Sequence, residues 1–181
     1  MLIERQHNSI SWEASAKLAL AACQHAIKLR CCIAVAIVDD SGNEKAFSKM
    51  DSVPLLGAEN AHRAAYTSLL GIPTGNLLSN FARQKNIATT LPFMDKVSFI
   101  AGGFPIISEG QIIGGIGVGG ASELEDTDCA VHALREIGIE VDPDYVREYL
   151  KNVDFDSEDV RNPLGTAIGT AIAAEKSAKR H

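Results

Sequence analysis

The chain has 181 residues, 46% of them apolar and 22% charged, with a net charge of −6 and an isoelectric point near 5.3. That is enough chain for one good core, and its acidic balance argues against a nucleic-acid partner, which would need a basic face. No apolar run reaches the ~18 residues of a membrane span, and the opening MLIERQHNSI lacks the basic flank and apolar stretch of a secretory signal, so a cytoplasmic protein with no membrane partner is expected.

Residues 11–29, SWEASAKLALAACQHAIKL, place Leu18, Ala22, His25 and Leu29 at helical spacing behind a capping Ser11. CCIAVAIVDD and EKAFSKMD then read as two strands joined by a hairpin at Ser41-Gly42-Asn43. A helix is predicted from about Leu56 to Leu70, stopped by Gly71 and Pro73, with a shorter one over NLLSNFARQ. KVSFIAGG, FPIIS and IIGGIGVGG are three further strand candidates, the last two joined by the turn EGQ. Ser122-x-x-Glu125 is a capping box that opens a final helix ending at Gly138. The order αββααβββα with hairpin-length connections predicts an α+β fold, an antiparallel sheet of about five strands with flanking helices. Residues 1–138 form that domain. Residues 139–181 read as an acidic, partly helical extension that packs on the domain or on a neighbouring subunit.

Five glycines fall between positions 114 and 120, and Gly115-x-Gly117-x-x-Gly120 matches the spacing of a dinucleotide-binding turn. Three features oppose that reading. The following helix starts with Glu123, Glu125, Asp126 and Asp128, which occupy the positive end that a pyrophosphate would need. Too little strand-like chain follows to build a parallel sheet, and Gly114 and Gly115 interrupt the strand itself. The glycines are therefore expected to leave bare sheet surface, filled by a flat ligand or a neighbouring chain.

The stretch AGGFPIISEGQIIGGIGVGGASELEDTDCAVHAL resembles the signature GGxP(I/V)xxxGxxxGxIGVSG…(D/E)xxxAxxxL of the GlcG/HbpS-type haem-binding domains, which also form the carboxy-terminal part of PduO-type cobalamin adenosyltransferases. Upstream, VAIVDDSGNEKAFSKMDSVPLLGAENAHRAAYTS resembles the family's VVDxxGxxxxxxRMDGAxxxSxxxAxxKAxTA. The likeness runs over residues 11–137 and implies a five-stranded antiparallel sheet with flanking helices. The chain departs from the pattern at Ala64, where lysine is common, at Lys49 of Lys49-Met50-Asp51, where arginine is usual, and at Gly119 in place of serine.

Haem, the cofactor that the resemblance suggests, would need an apolar slot and one strong axial donor. His25 and His62 are the candidates, with Gly102, Gly103 and Pro105 as the bare wall of the site. His62 also forms an i, i+3 pair with Glu59 and has Arg63 beside it, and Asp51 ends the preceding strand. A carboxylate beside imidazole suits acid/base work, and the planar fork of Arg63 suits a substrate carboxylate. Cys129-x-x-His132 lacks a second ligand pair, so no metal site is expected, and the four cysteines read mainly as small apolar side chains. Three functions stay open: a small-ligand (haem) binding homo-oligomer; a small catabolic enzyme of deaminase, hydrolase or isomerase type acting on an organic acid through Asp51, Glu59, His62 and Arg63; or an accessory subunit of a larger enzyme.

Overall fold

The structure, a computed structural model, describes residues 7–81 and 84–142. From residue 143 onward the expected extension lies outside the described residues. Helix α1 (Trp12–Leu29) starts where the Ser11 side chain accepts the Ala14 N–H and stops where Arg30 turns left-handed at φ 61°. Strand β1 (Ala34–Asp39) is buried almost throughout, whereas β2 (Glu44–Lys49) alternates between exposed and half-buried positions, as an edge strand does. Between them Gly42 takes φ 83°, and the Asp39 carboxylate accepts the N–H groups of Ser41 and Asn43. Helix α2 (Leu55–Ser68) is followed by a 3₁₀ turn at Thr74–Asn76, short helices α3 (Leu77–Phe81) and α4 (Lys85–Thr90), and a second 3₁₀ turn at Leu91–Phe93. Strands β3 (Gly103–Ser108) and β4 (Gln111–Gly119) form a hairpin whose turn residues Glu109 and Gly110 both have positive φ. Helix α5 (Glu123–Glu136) opens with the complete Ser122–Glu125 capping box.

The four strands form one antiparallel sheet in the order β2-β1-β4-β3. Val35, Ile37, Phe104, Ile106, Ile116 and Val118 face α1 and α5, where Leu18, Ala22, Val131 and Leu134 complete the larger core. Ala34, Ala36 and Val38 face α2 through Ala61 and Ala65. The fold is α+β and antiparallel, as the sequence predicts, but among the described residues the sheet has four strands and not five. Of the segment KVSFIAGG only Gly103, the first residue of β3, joins the ladder; side chains satisfy much of the backbone of the residues before it. Thr67 Oγ1 donates to Lys96 O and accepts from Ser98 N. Thr74 Oγ1 likewise bridges Ile100 O and Gly103 N, and Glu123 takes the Ala101 N–H. With those groups paired, a strand would gain nothing.

The glycines of β4 also have a different occupant from the one expected. Strand alternation points positions 115, 117 and 119 at α2, and the helix fills their surface with its own main chain. A Cβ at Gly119 would lie 2.5 Å from Gly57 O, and one at Gly103 2.6 Å from Ala64 O. At Gly115 and Gly117 it would strike the carbonyls of Ala65 and Ala61. No open sheet face remains there for a ligand or a second chain. The matching stripe on the helix, Gly57, Ala61, Ala64, Ala65 and Ser68, has the i, i+4, i+7 spacing of one face. Gly117→Ala is expected to destabilise the protein by about 3 kcal/mol in urea unfolding, since backbone cannot yield as a side chain can. Gly110→Ala, where nothing lies within 4 Å of the added carbon, should cost about 1 kcal/mol, from its positive φ alone. Equal losses would contradict the close seat.

Candidate functional site

Since one face of α2 is committed to the sheet, its other face, Glu59, His62, Arg63 and Tyr66, is turned outward beside the β1–β2 hairpin. These four residues, with Val38, Gly42, Glu44, Asp95 and Lys96, line a cleft of about 480 Å³, a volume typical of small-molecule sites. His62 Nδ1 lies 3.0 Å from Glu44 Oε2 on β2, and its ring stacks on Phe47 with centroids 4.4 Å apart. The carboxylate and the aromatic ring together fix the imidazole's orientation. Nε2 has no hydrogen-bond partner among the described residues. Arg63 sits 3.9 Å from Glu59, too long and too exposed to hold the guanidinium firmly. Lys96 Nζ lies 5.2 Å above the Tyr66 ring, and its backbone is held by Thr67 of the same helix. Gly42 is necessary beneath that ring: an added Cβ there would meet Tyr66 Cε2 at 2.8 Å.

Of the residues singled out from sequence, Glu59, His62 and Arg63 thus share one cleft. Asp51 does not line it; it lies exposed in the turn after β2. The carboxylate beside the His62 imidazole is Glu44, while Glu59 turns to Arg63. Gly102 and Gly103 offer no bare wall, since Gly102 packs under Val118 O and Asp126, Gly103 under Ala64 and Thr74. Pro105 is buried in β3, which at the edge of the sheet can spare its N–H. The sequence reading missed Glu44, Tyr66, Asp95 and Lys96. Tyr66 carried a signal, falling seven residues after Glu59 and four after His62, on the same helical stripe.

His25 lies elsewhere, between α1 and α5. Its Nε2 donates to Asp128 Oδ2 at 2.7 Å, and its ring stacks on His132 at 3.9 Å with 15° between planes. Asp128 is buried and His25 nearly so. Burial, reinforced by the adjacent His25, holds His132 below the usual histidine range. The second nitrogen of His25, Nδ1, is buried without a hydrogen bond among the described residues. All four cysteines are free. Buried Cys129 donates to the Cys31 sulfur, which lowers the Cys31 pKa and raises that of Cys129. Among the described residues no cluster of three or more His, Cys, Asp or Glu side chains is arranged to hold a metal ion, and no helix is long and apolar enough to cross a membrane.

The carboxylates at the start of α5 are engaged with the chain itself. Glu123 accepts from Ala101 N, Glu125 closes the capping box, and Asp126 accepts from Ala121 N. A pyrophosphate would have to displace all three.

An antiparallel sheet between helices, with a ligand-sized cleft beside one helix, defines the class of α+β domain. The profile of the family described as haem degrading protein HbpS-like matches residues 10–135, and the chain belongs to that family. HbpS of Streptomyces reticuli, in a double-mutant crystal structure, is 31% identical, with a TM-score of 0.69 over 75% of this chain and 91% of that one. A PduOC:heme complex is 28% identical, with a TM-score of 0.66 over 72% of this chain and 96% of that one. The corrinoid adenosyltransferase PduO of Salmonella typhimurium is 29% identical across 68% of this chain, and that of Citrobacter freundii 26% identical across 72%. The matched part spans only 37% and 40% of those two relatives' own length.

Burial pushes the Asp126 carboxyl up to about 7, against the N–H groups of Ala121 and Gly120, which favour its charged form. The folded protein therefore keeps this proton at pH values where the unfolded chain, with its ordinary carboxyl pKa of 3.8, has released it. The contribution of this group to stability falls as pH rises from about 4 through about 7. In Asp126→Asn the amide oxygen can still accept from Ala121 while the titration is gone, so thermal melts from pH 5 to 8 should show a flatter profile than the native chain. Parallel profiles would show that Asp126 is already ionised throughout.

Proposed function

We propose that the chain is a haem-binding protein of the HbpS-like family and that the cleft between α2 and the β1–β2 hairpin is where haem binds. The observation that carries this reading is His62, held through Nδ1 by Glu44 with Nε2 left available as an axial donor. Tyr66 and Val38 supply aromatic and apolar surface for a flat ring, Phe47 backs the His62 imidazole, and Arg63 and Lys96 supply cations for two propionates in a lining that also holds the carboxylates Glu44, Glu59 and Asp95. Bound there, haem would bring iron redox and oxygen chemistry, while the protein's part is ligation, orientation and charge pairing. A bound haem complex of the family relative PduOC, at 28% identity, supports the ligand class. His25 suits the role less well, because Asp128 already takes its Nε2 and His132 covers its ring.

Titration of the apo protein with haem should produce a Soret band of a histidine-ligated iron. His62→Ala should shift that band and weaken binding by about tenfold or more, which is ~1.4 kcal/mol. Arg63→Ala and Lys96→Ala should keep the ligation spectrum and each cost about 1.5 kcal/mol of affinity. His25→Ala removes one partner of the buried Asp128 carboxylate and should lower stability by about 2 kcal/mol without moving the Soret maximum. If His25→Ala abolishes the band and His62→Ala leaves it intact, the assignment fails.

A further inference from the structure

Between its sheet face and its cleft face, α2 carries Asn60 and Thr67, about two turns apart and both buried. Together they hold the turn that supplies Asp95 and Lys96 to the cleft. Thr67 Oγ1 donates to Lys96 O at 3.1 Å and accepts the Ser98 N–H at 2.9 Å. Ser98, also buried, donates through Oγ to Asn60 Oδ1 and accepts from Ile100 N. Buried polar groups tied in this way have no water to turn to if the contacts break. Residues 96–98 are therefore fastened to α2, although the Lys96 side chain itself is exposed.

The fastened turn is strained at the residue that lines the cleft. Lys96 takes φ 66°, a left-handed backbone that glycine adopts freely and a residue with a Cβ does not. Strain of this kind, kept in place by its surroundings, points to a use for the side chain. Lys96 Nζ lies 5.2 Å above the Tyr66 ring. Glu44, Glu59 and Asp95 line the same cleft, yet among the described residues no carboxylate forms an ion pair with Lys96. We infer that Thr67 and Ser98 are positioning residues that set Lys96 in advance to receive a carboxylate of the ligand, an inference that rests on the haem reading above. A lysine on a loose turn would have to be ordered as the ligand arrives, whereas here the fold has carried out part of that ordering beforehand. Arg63 has no such support, since its contact with Glu59 is long and exposed. The site should then distinguish a free-acid porphyrin from its ester, and the distinction should depend on the Thr67 hydroxyl.

The test uses the full chain with ferric haem and with haem dimethyl ester. Thr67→Val, close in shape but without the hydroxyl, should weaken haem binding about fivefold, the cost of ordering one long side chain on binding. It should leave the Soret maximum and the affinity for the ester unchanged. Ser98→Ala should act in the same direction, and Thr67→Ser should restore native affinity. In the ligand-free protein, the Lys96 ε-methylene protons should resonate upfield of the other lysines under the Tyr66 ring current. They should move to the ordinary lysine position in Thr67→Val and return in Thr67→Ser. The inference is overturned if Thr67→Val keeps the upfield shift, or if it weakens haem and ester alike, as a merely structural role would. If haem gives no His62-dependent band, the haem reading fails, and the ring-current comparison, which needs no ligand, still decides whether Thr67 positions Lys96.

Discussion

Helix α2 rests with its main chain on the main chain of β4, and that steric seat decides what the helix can offer to solvent. Dispersion falls off steeply with distance, so replacing side chains by backbone at the contact increases the number of close atom pairs while forbidding any Cβ on the sheet side. The requirement is met on both partners, by Gly115, Gly117 and Gly119 on β4 and by Gly57, Ala61 and Ala65 on α2. With the inner face so constrained, rotation of the helix about its axis is fixed. The residues half a turn away, His62 and Arg63 foremost, are then placed at the rim of the hairpin with little freedom.

This seat links the fold to the cleft. Glu44 reaches His62 because β2 is an edge strand whose outward residues have no further strand to pair with, and because the sheet lies immediately under the helix. Tyr66 closes over Gly42 for the same reason. The opposite face of the sheet holds a conventional apolar core under α1 and α5, in which the His25–Asp128–His132 cluster is a buried polar element that joins the two helices. The two histidine environments differ in kind: one is half exposed and oriented by a surface carboxylate, the other stacked and largely withdrawn from solvent.

Much of this was legible in the sequence because the signals are local. Ser11 and the Ser122–Glu125 box announce helix starts, Ser41-Gly42-Asn43 and Glu109-Gly110 announce hairpins, and the family resemblance covers nearly the stretch that the HbpS-like profile matches. Long-range facts were not legible. Residues 96–101 have a strand's composition, but Thr67 and Thr74, about thirty residues away in sequence, take hydrogen bonds of their backbone. The glycine run says that something must approach closely, and composition alone does not distinguish a ligand from the chain's own helix. Likewise Glu59, near in sequence, looked like the partner of His62. The true neighbour, Glu44, is set by a hairpin whose register shifts between Ile37 and Val38.

The most direct test of the proposed haem site is where added haem binds. In a ¹⁵N-resolved NMR titration with ferric haem, paramagnetic broadening should fall first on the amides of Gly42, Glu44, His62, Tyr66 and Lys96. Those of His25, Asp128 and His132, on the far side of the sheet, should stay sharp. Broadening centred on α1 and α5, with the α2 cleft untouched, would contradict it.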